Sequence, residues 1–425
     1  MHIFLSGIGG SGMSSMALLA KQAGYDVSGS DARDSGTIAY LKAHGINHIH
    51  IGQSAEQIDK VHKAQPIDWF VYTSALPKEH VELKYCQAHN IKSTKRDEFL
   101  NHLISDKGLE LFAVAGTHGK STTTAMAIWL FNQRGVPASY CIGAKLGFAE
   151  AGAYQKNSSY FIYETDEFDR NFLSFYPKLA LISGLDWDHP DIYPTRQSYE
   201  DAFREFIGQS EQVFLWHDDA ERLGLEASEN LAIFDSHNPA IDNSKLIGRV
   251  NRLDAWLVAN AFSGVLDKAP DALFKELDGF PGLARRFEKL AENIYSDYAH
   301  TPAKIRGALQ TANELAGDNV VVVYEGLHNL RQHFIKEELA ELFTNVKQLY
   351  IVPSYLAREN PSLEILTPDK ILDLLSNESR RHAKTAQLDE KLLNSIRQHA
   401  KAGDLVLCFS AGGASSLDEW LRTQL

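Results

Sequence analysis

Short apolar stretches alternate along the whole chain with longer segments in which apolar residues recur at helical spacing. The stretches at 3–6, 69–72 and 111–115 are apolar throughout or nearly so and predict buried strands, whereas 12–23 and 121–134 predict helices. Strands that alternate with helices form parallel sheets covered by helices. The pattern therefore predicts an α/β fold.

Two interruptions divide this pattern into three parts. The polar stretch 105–108 follows a predicted helix at 95–104, and the turn Gly-Phe-Pro-Gly at 279–282 precedes a new series of strands. A chain of 425 residues can bury three separate cores. We predict three consecutive α/β domains at 1–107, 108–281 and 282–425. Further predicted strands are 26–29, 160–163, 179–183, 320–324, 348–352 and 405–409.

Composition and charge exclude several classes of protein. The net charge of −13 argues against a general nucleic-acid binder, which needs clustered Lys and Arg. The cysteines Cys86, Cys141 and Cys408 form no CxxC pair, which argues against disulfides and thiolate zinc sites and favours the cytoplasm. No apolar run approaches the roughly 18 residues of a membrane span, and the N-terminus lacks a basic leader. We expect a cytoplasmic monomer or homodimer with small-molecule substrates.

The strongest motif is Ala-Gly-Thr-His-Gly-Lys-Ser-Thr-Thr at 115–123, between a predicted strand and a predicted helix. Glycines let backbone N–H groups curl around phosphate oxygens, and the helix N-terminus adds positive potential. Lys120 would reach the β and γ phosphates, and the Ser121 hydroxyl would ligate Mg²⁺. The motif predicts a site for ATP and Mg²⁺ formed by Gly116, Thr117, His118, Gly119, Lys120, Ser121 and Thr122.

A second glycine-rich turn follows the first strand. Its G-x-G-x-x-G pattern spans 7–12, and an acidic residue, Asp31, ends the second strand about twenty positions later. From the residues alone this pattern predicts a dinucleotide site, as in an NAD-dependent dehydrogenase. That hypothesis leaves Lys120 and Ser121 unexplained. The candidate ligand-binding residues here are Gly7, Gly9, Gly10, Ser11, Gly12 and Asp31.

Two carboxylate-rich segments follow strands of the same unit as the phosphate loop. The first, Tyr-Glu-Thr-Asp-Glu-Phe-Asp at 163–169, contains four carboxylates, and the second is Asp-Trp-Asp-His at 186–189. Ligands of α/β proteins bind at the carboxyl ends of parallel strands. Carboxylate oxygens there favour a Mg²⁺ site beside the phosphates.

The shortened loop G-T-H-G-K-S-T resembles that of the Mur ligases of peptidoglycan synthesis, and the other motifs follow in the order found in that family. The resemblance implies a Rossmann-like N-terminal UDP-binding domain, a central P-loop domain and a Rossmann-like C-terminal domain. It assigns the first glycine turn to the diphosphate of UDP, with Asp31 near the nucleotide and Ser74 lining the sugar-nucleotide cleft.

The resemblance also implies roles for single residues. Glu164 and His189 would ligate metal with Ser121, Asn251 would contact adenine, and Asp297 would bind the ribose of ATP. Arg286 matches an Arg near the γ-phosphate, His300 lies in a D-Y-x-H motif near the reacting centre, and Arg331 would pair with the carboxylate of the incoming amino acid. The catalytic candidates are Lys120, Arg286, His300 and Arg331.

The expected chemistry is ATP-dependent amide ligation through an acyl phosphate, with release of ADP and phosphate. The resemblance favours L-alanine joined to the lactyl carboxylate of UDP-N-acetylmuramate. The alternative acceptor is the recycled tripeptide L-Ala-γ-D-Glu-meso-diaminopimelate. Two hypotheses from other classes, an NAD-dependent dehydrogenase and a P-loop ATPase switch, each explain only one of the two glycine turns.

Overall fold

The computed structural model describes residues 1–73, 76–189, 192–356, 359–413 and 415–425. It contains three α/β domains, each built on one sheet of mainly parallel strands. The chain divides into two compact units. The first comprises Met1–Ile241 and Asp254–Phe280, and the second comprises Asp242–Leu253 and Pro281–Leu425.

The N-terminal domain has a parallel sheet in the order β3-β2-β1-β4-β5. The order reverses between β1 and β4, and ligands of open α/β sheets bind at such a switch point. Its elements are β1 (His2–Ser6), α1 (Ser11–Gln22), β2 (Asp26–Asp31), α2 (Gly36–Ala43), β3 (Ile49–Ile51), α3 (Ala55–Ala64), β4 (Trp69–Tyr72), α4 (Val81–Ala88), β5 (Lys92–Lys95) and α5 (Arg96–Asp106).

The central domain has a sheet in the order β12-β11-β10-β6-β9-β7-β8, in which β8 alone of the described strands runs antiparallel. Strand β6, which leads into the phosphate loop, lies between β9 and β10. The elements are β6 (Glu110–Ala115), α6 (Lys120–Gln133), β7 (Ser139–Cys141), β8 (Gly152–Ala153), β9 (Tyr160–Glu164), β10 (Leu179–Ile182), α7 (Arg196–Gly208), β11 (Val213–Trp216), α8 (His217–Leu223), β12 (Leu231–Phe234), α9 (Arg249–Phe262) and α10 (Pro270–Glu276).

The C-terminal domain has a sheet in the order β13-β14-β18-β15-β16-β17, in which β13 pairs antiparallel with β14. Strands β14, β18 and β15 are parallel neighbours, so their carboxyl ends share one edge of the sheet. The elements are β13 (Glu288–Ala291), β14 (Ile294–Asp297), α11 (Pro302–Ala316), β15 (Val320–Leu327), α12 (Asn329–Leu339), β16 (Gln348–Tyr355), α13 (Pro368–Leu374), α14 (Asn377–Arg380), β17 (Ala383–Thr385), α15 (Glu390–Lys401), β18 (Leu405–Phe409) and α16 (Leu417–Gln424).

The three-domain α/β prediction is confirmed, and the predicted strands lie where expected. Helix α5 continues to Asp106, so half of the predicted linker 105–108 is helical. Strands β15 and β16 extend three residues beyond the predicted ends. The boundaries at 107 and 281 remain a prediction. Within the described ranges, helices are too short or too polar to cross a bilayer.

Candidate active site

The phosphate loop connects β6 to α6 through two glycines with positive φ angles. Gly116 has φ of 142° and Gly119 has φ of 79°, values that L side chains rarely adopt. A Cβ on Gly116 would lie 2.6 Å from Ser183 Oγ. Both glycines are therefore needed for the path of this turn.

The segment that follows the neighbouring strand β10 fixes the other side of the loop. The Thr117 N–H donates to the Gly184 carbonyl (2.8 Å), and its hydroxyl donates to the Asp186 carbonyl (2.6 Å). Ser183 Oγ donates to the His118 carbonyl (2.5 Å). The first intrahelical bond of α6 runs from Thr123 to Gly119 (2.9 Å), so the preceding N–H groups stand at a helix N-terminus, where anions bind.

Lys120, the candidate phosphate-binding cation, lies in this turn beside a carboxylate that the motif did not assign. Its ammonium donates to the Gly116 carbonyl (2.6 Å) and to Glu167 Oε2 (2.7 Å). Burial favours the neutral amine, but the carboxylates of Glu167, Asp166 and Glu164 outweigh it and raise the pKa of Lys120. The lysine is therefore charged at neutral pH.

Ser121 and Glu164, two of the predicted metal ligands, are in contact. Ser121 Oγ donates to Glu164 Oε1 (2.6 Å), while Glu164 Oε2 accepts from the Gly143 N–H (3.0 Å). A hydroxyl and a carboxylate suit Mg²⁺, which takes one or two protein ligands and completes its shell with water and phosphate oxygens. The pair fits such an ion at the phosphate end of α6.

His189, the third predicted ligand, lies beside other carboxylates. Its Nε2 is 3.8 Å from Glu167 Oε1 and 3.9 Å from Asp188 Oδ2. Among the described residues, no group of three or more His, Cys, Asp or Glu side chains is arranged to hold a metal. His189 therefore lies next to Glu167, the carboxylate that pairs with Lys120. The role of His189 as a metal ligand stays a prediction.

The first glycine turn directs most of its N–H groups inward. Gly7 N–H donates to the Ser30 carbonyl (2.8 Å), Gly9 N–H donates to Asp31 Oδ2 (2.8 Å), and Gly10 N–H donates to the Gly7 carbonyl (3.0 Å). These glycines shape the turn. The N–H groups left for a ligand belong to the first turn of α1, which begins at Ser11.

A buried carboxylate behind this turn had no signal in the sequence. Glu82 is 1% exposed, and its Oε2 accepts from Ser6 Oγ (2.6 Å), Ser30 Oγ (2.9 Å) and Gln53 Nε2 (3.2 Å). Burial is the main cause that raises its pKa. The network holds the carboxyl ends of β1 and β2 together. The Ser30 carbonyl also accepts from the Gly7 N–H, so the network supports the start of the glycine turn.

A cavity of about 280 Å³ lies between the first glycine turn and the acidic segment of the central domain. Its walls include the start of α1 on one side and Asp166 on the other. Both domains belong to the first compact unit. Ser74, predicted to line this cleft, lies outside the described residues. The lining residues are Gly7, Gly10, Ser11, Gly12, Met13, Thr73, Arg96, Asp97, Asp166, Phe168 and Asn171.

The second unit groups three predicted residues at the end of β14. Asp297 accepts from the Phe287 N–H (2.8 Å) and the Ala299 N–H (2.7 Å). Burial raises the pKa of Asp297, and the positive charge of Arg286 lowers it by less. The Arg286 guanidinium lies 5.2 Å from the Tyr298 ring centre. His300 Nδ1 is 2.9 Å from the Tyr298 carbonyl oxygen.

The remaining predicted residues of the second unit lie elsewhere. Arg331 is in the first turn of α12, which follows β15. The Asn251 amide donates to the Ile247 carbonyl (2.7 Å) within its own segment.

The buried side chain of Asp219 holds the start of the segment 185–189, which ends at His189, and its ionisation makes stability depend on pH. Asp219 accepts from the Leu185 N–H (3.2 Å), and burial raises the pKa of Asp219 to about 7. An acid with a raised folded-state pKa loses stabilisation as the pH rises from its unfolded pKa through its folded one. We expect Asp219→Asn to gain thermal stability relative to the wild type between pH 5 and pH 8.

Thermal unfolding midpoints of both proteins across this range measure the effect, with the exposed neighbour Asp218→Asn as the control. A difference between Asp219→Asn and the wild type that stays constant with pH would contradict the assignment.

The family comparison covers the three domains separately. Residues 2–107 match the model of the Mur ligase family catalytic domain, 114–245 match the Mur ligase middle domain, and 285–412 match the Mur ligase glutamate ligase domain. These three matches include all the site residues described above except Asn251.

Similar proteins align over nearly their whole length. The UDP-N-acetylmuramate–L-alanine ligase of Clostridium tetani is 30% identical, with 96% of this chain and 94% of that protein covered. The ligase of the same name from Clostridium acetobutylicum is 27% identical, with 98% and 96% covered.

Solved structures show the same fold. The UDP-N-acetylmuramate-alanine ligase of Thermotoga maritima superposes with a TM-score of 0.76 at 23% identity, over 99% of this chain and 98% of that one. A murein peptide ligase of Psychrobacter arcticus superposes with a TM-score of 0.64 at 22% identity, over 97% and 96%.

Proposed function

This chain belongs to the Mur ligase family, and we propose that it joins L-alanine to the lactyl carboxylate of UDP-N-acetylmuramate. The reaction would consume ATP and release ADP and phosphate. The observation that carries the proposal is the cavity lined by both the glycine turn of α1 and the acidic segment beside Lys120. Full-length relatives named as this ligase support the same substrate pair.

The roles of the described residues follow from their chemistry. The first turn of α1 would bind the diphosphate of the sugar nucleotide, and that of α6 would bind the phosphates of ATP. Lys120 would offset the charge that builds on the transferring phosphoryl group. Mg²⁺, when bound through Ser121 and Glu164, would supply further charge neutralisation.

The carboxylate would attack the γ-phosphorus to form an acyl phosphate, and the amine would then attack the acyl carbon and displace phosphate. Arg286 and Asp297 are the candidate nucleotide contacts of the second unit. Arg331 is the candidate partner of the acceptor carboxylate, and His300 is the candidate proton acceptor. Asn251 is the candidate contact of adenine, and His189 is a candidate Mg²⁺ ligand. We also predict that the protein is cytoplasmic.

The test is phosphate release from ATP and Mg²⁺, measured with UDP-N-acetylmuramate and with L-alanine, other amino acids or the tripeptide L-Ala-γ-D-Glu-meso-diaminopimelate as the acceptor. We expect release that requires both the sugar nucleotide and L-alanine. Release that requires the tripeptide L-Ala-γ-D-Glu-meso-diaminopimelate would assign the recycling reaction instead. Release without any sugar nucleotide would contradict both and favour a P-loop ATPase.

A further inference from the structure

Arg96, the first residue of α5, places its guanidinium over the first turn of α1. A Cβ on Gly12 would collide with Arg96 Nη1, so this close approach requires glycine at position 12. Nη2 is 3.3 Å from Asp97 Oδ1 and 3.8 Å from Asp166 Oδ2. Charge-assisted bonds are usually about 2.7–2.9 Å long, so both contacts are longer than a full charge-assisted bond.

The guanidinium also has a donor without an acceptor. Arg96 Nε is buried and has no hydrogen-bond partner among the described residues. Buried guanidinium N–H groups nearly always have an acceptor. The same cavity is lined by Ser11, Gly12 and Met13, whose N–H groups form the N-terminus of a twelve-residue helix. A cation and a helix N-terminus that face one cavity attract an anion.

The orientation of Arg96 is set from the central domain. Asp97 is 3% exposed, and its Oδ1 accepts from the Tyr163 hydroxyl (2.6 Å) as well as from Arg96. Tyr163 lies in β9, immediately before Glu164. The contact therefore joins the wall of the sugar-nucleotide cavity to the strand that ends at Glu164, the partner of Ser121.

We propose that Arg96 binds the diphosphate of the sugar nucleotide together with the first turn of α1, and that Asp97 and Tyr163 position its guanidinium. The inference rests on the proposed function, because it takes the ligand of this cavity to be a nucleoside diphosphate. A planar guanidinium can donate two parallel bonds to phosphate oxygens, which a lysine cannot. Gly12 leaves the space that the guanidinium occupies in this position.

Calorimetric titration of the full-length protein with UDP and, separately, with ATP tests the proposal. We expect Arg96→Gln to bind UDP about 10- to 100-fold more weakly, the usual effect of losing charge-assisted bonds, while ATP affinity changes less than about threefold. Arg96→Lys should recover only part of the loss.

Asp97→Ala should weaken UDP binding by a smaller factor and raise KM for the sugar nucleotide, with KM for ATP unchanged. Lys84→Gln, an equal charge change on the exposed side of α4, is the control.

The possible results separate this inference from the proposed function. If the wild type binds UDP and Arg96→Gln binds it within threefold of that affinity, the inference is overturned and the proposed function stands. If the wild type does not bind UDP, both are overturned. If Arg96→Gln loses ATP affinity as well, Arg96→Lys decides. The inference then survives only if the lysine variant keeps its ATP affinity and binds UDP more weakly than the wild type.

Discussion

Replacing Lys120 with methionine is expected to lower kcat for phosphate release by about a thousandfold or more, the scale seen when a cation on a transferring phosphoryl group is removed. Lys120 is the first residue of α6, and its ammonium donates to the Gly116 carbonyl and to Glu167. ATP phosphates would replace these partners. Methionine fills the same space but offers no charge and no donor.

The same substitution is also expected to lower the stability of the folded protein, and this effect must be separated from the loss of catalysis. Glu167 is 3% exposed, and without Lys120 it would be a buried carboxylate that has lost its cation. Breaking a buried pair in this way costs about 3–5 kcal/mol. We therefore expect Lys120→Met to unfold at a lower temperature than the wild type.

The double variant Lys120→Met, Glu167→Gln is the matched control. It removes the unpaired charge and should recover much of the lost thermal stability without recovering activity. Steady-state phosphate release and thermal unfolding, measured on both variants, distinguish the two effects. Activity that returns with stability in the double variant would mean that Lys120 is structural.

The parts of the site that follow a local pattern were predictable from the sequence. The phosphate loop combines a buried strand, glycines at positions of positive φ and a lysine at the helix start, so Lys120 and Ser121 could be placed from the motif alone. The strands were predictable for the same reason. The predicted run 320–324 is apolar and buried throughout, so it has few other structures available to it. The polar Glu325 and the following Gly326 gave no sign that the strand continues to Leu327.

Contacts between residues far apart in sequence could not be predicted in this way. Glu82 is an acidic residue in the first turn of α4, a position usually occupied by solvated side chains, yet it is buried and bonded to residues at the ends of β1 and β2. Its environment is set by strand order. The pairing of Arg96 with Asp166, and of Tyr163 with Asp97, likewise depends on how two domains pack within the first unit.

The glycine turn at 7–12 shows which details of a site a sequence motif leaves open. The pattern predicts that a diphosphate lies on the N-terminus of the helix that follows the glycines, but it does not say which N–H groups are available to it. In the structure the N–H groups of Gly7, Gly9 and Gly10 bond within the protein. The turn that these glycines form places the first turn of α1 at the wall of the cavity. The glycines are needed for the shape of the turn, whereas Ser11 and its successors carry the free donors.

Replacing Glu164 with glutamine is expected to lower activity by about a hundredfold at low Mg²⁺ and to raise the Mg²⁺ concentration needed for half-maximal rate roughly tenfold or more. Glu164 Oε1 accepts from Ser121 Oγ, and Oε2 accepts from the Gly143 N–H, so both carboxylate oxygens are oriented. Glutamine keeps the shape and one oxygen but loses the negative charge that attracts the cation.

A Mg²⁺ titration of the initial rate at saturating ATP measures this effect. High Mg²⁺ should restore part of the activity of Glu164→Gln, because the remaining amide oxygen and Ser121 still offer hard ligands. Asp169→Asn is the matched control, since it neutralises a carboxylate of the same acidic segment whose partner is Lys95 rather than Ser121. A rate that falls in Glu164→Gln with an unchanged Mg²⁺ requirement would show that the carboxylate only orients Ser121, and the metal would then have to be held by other groups.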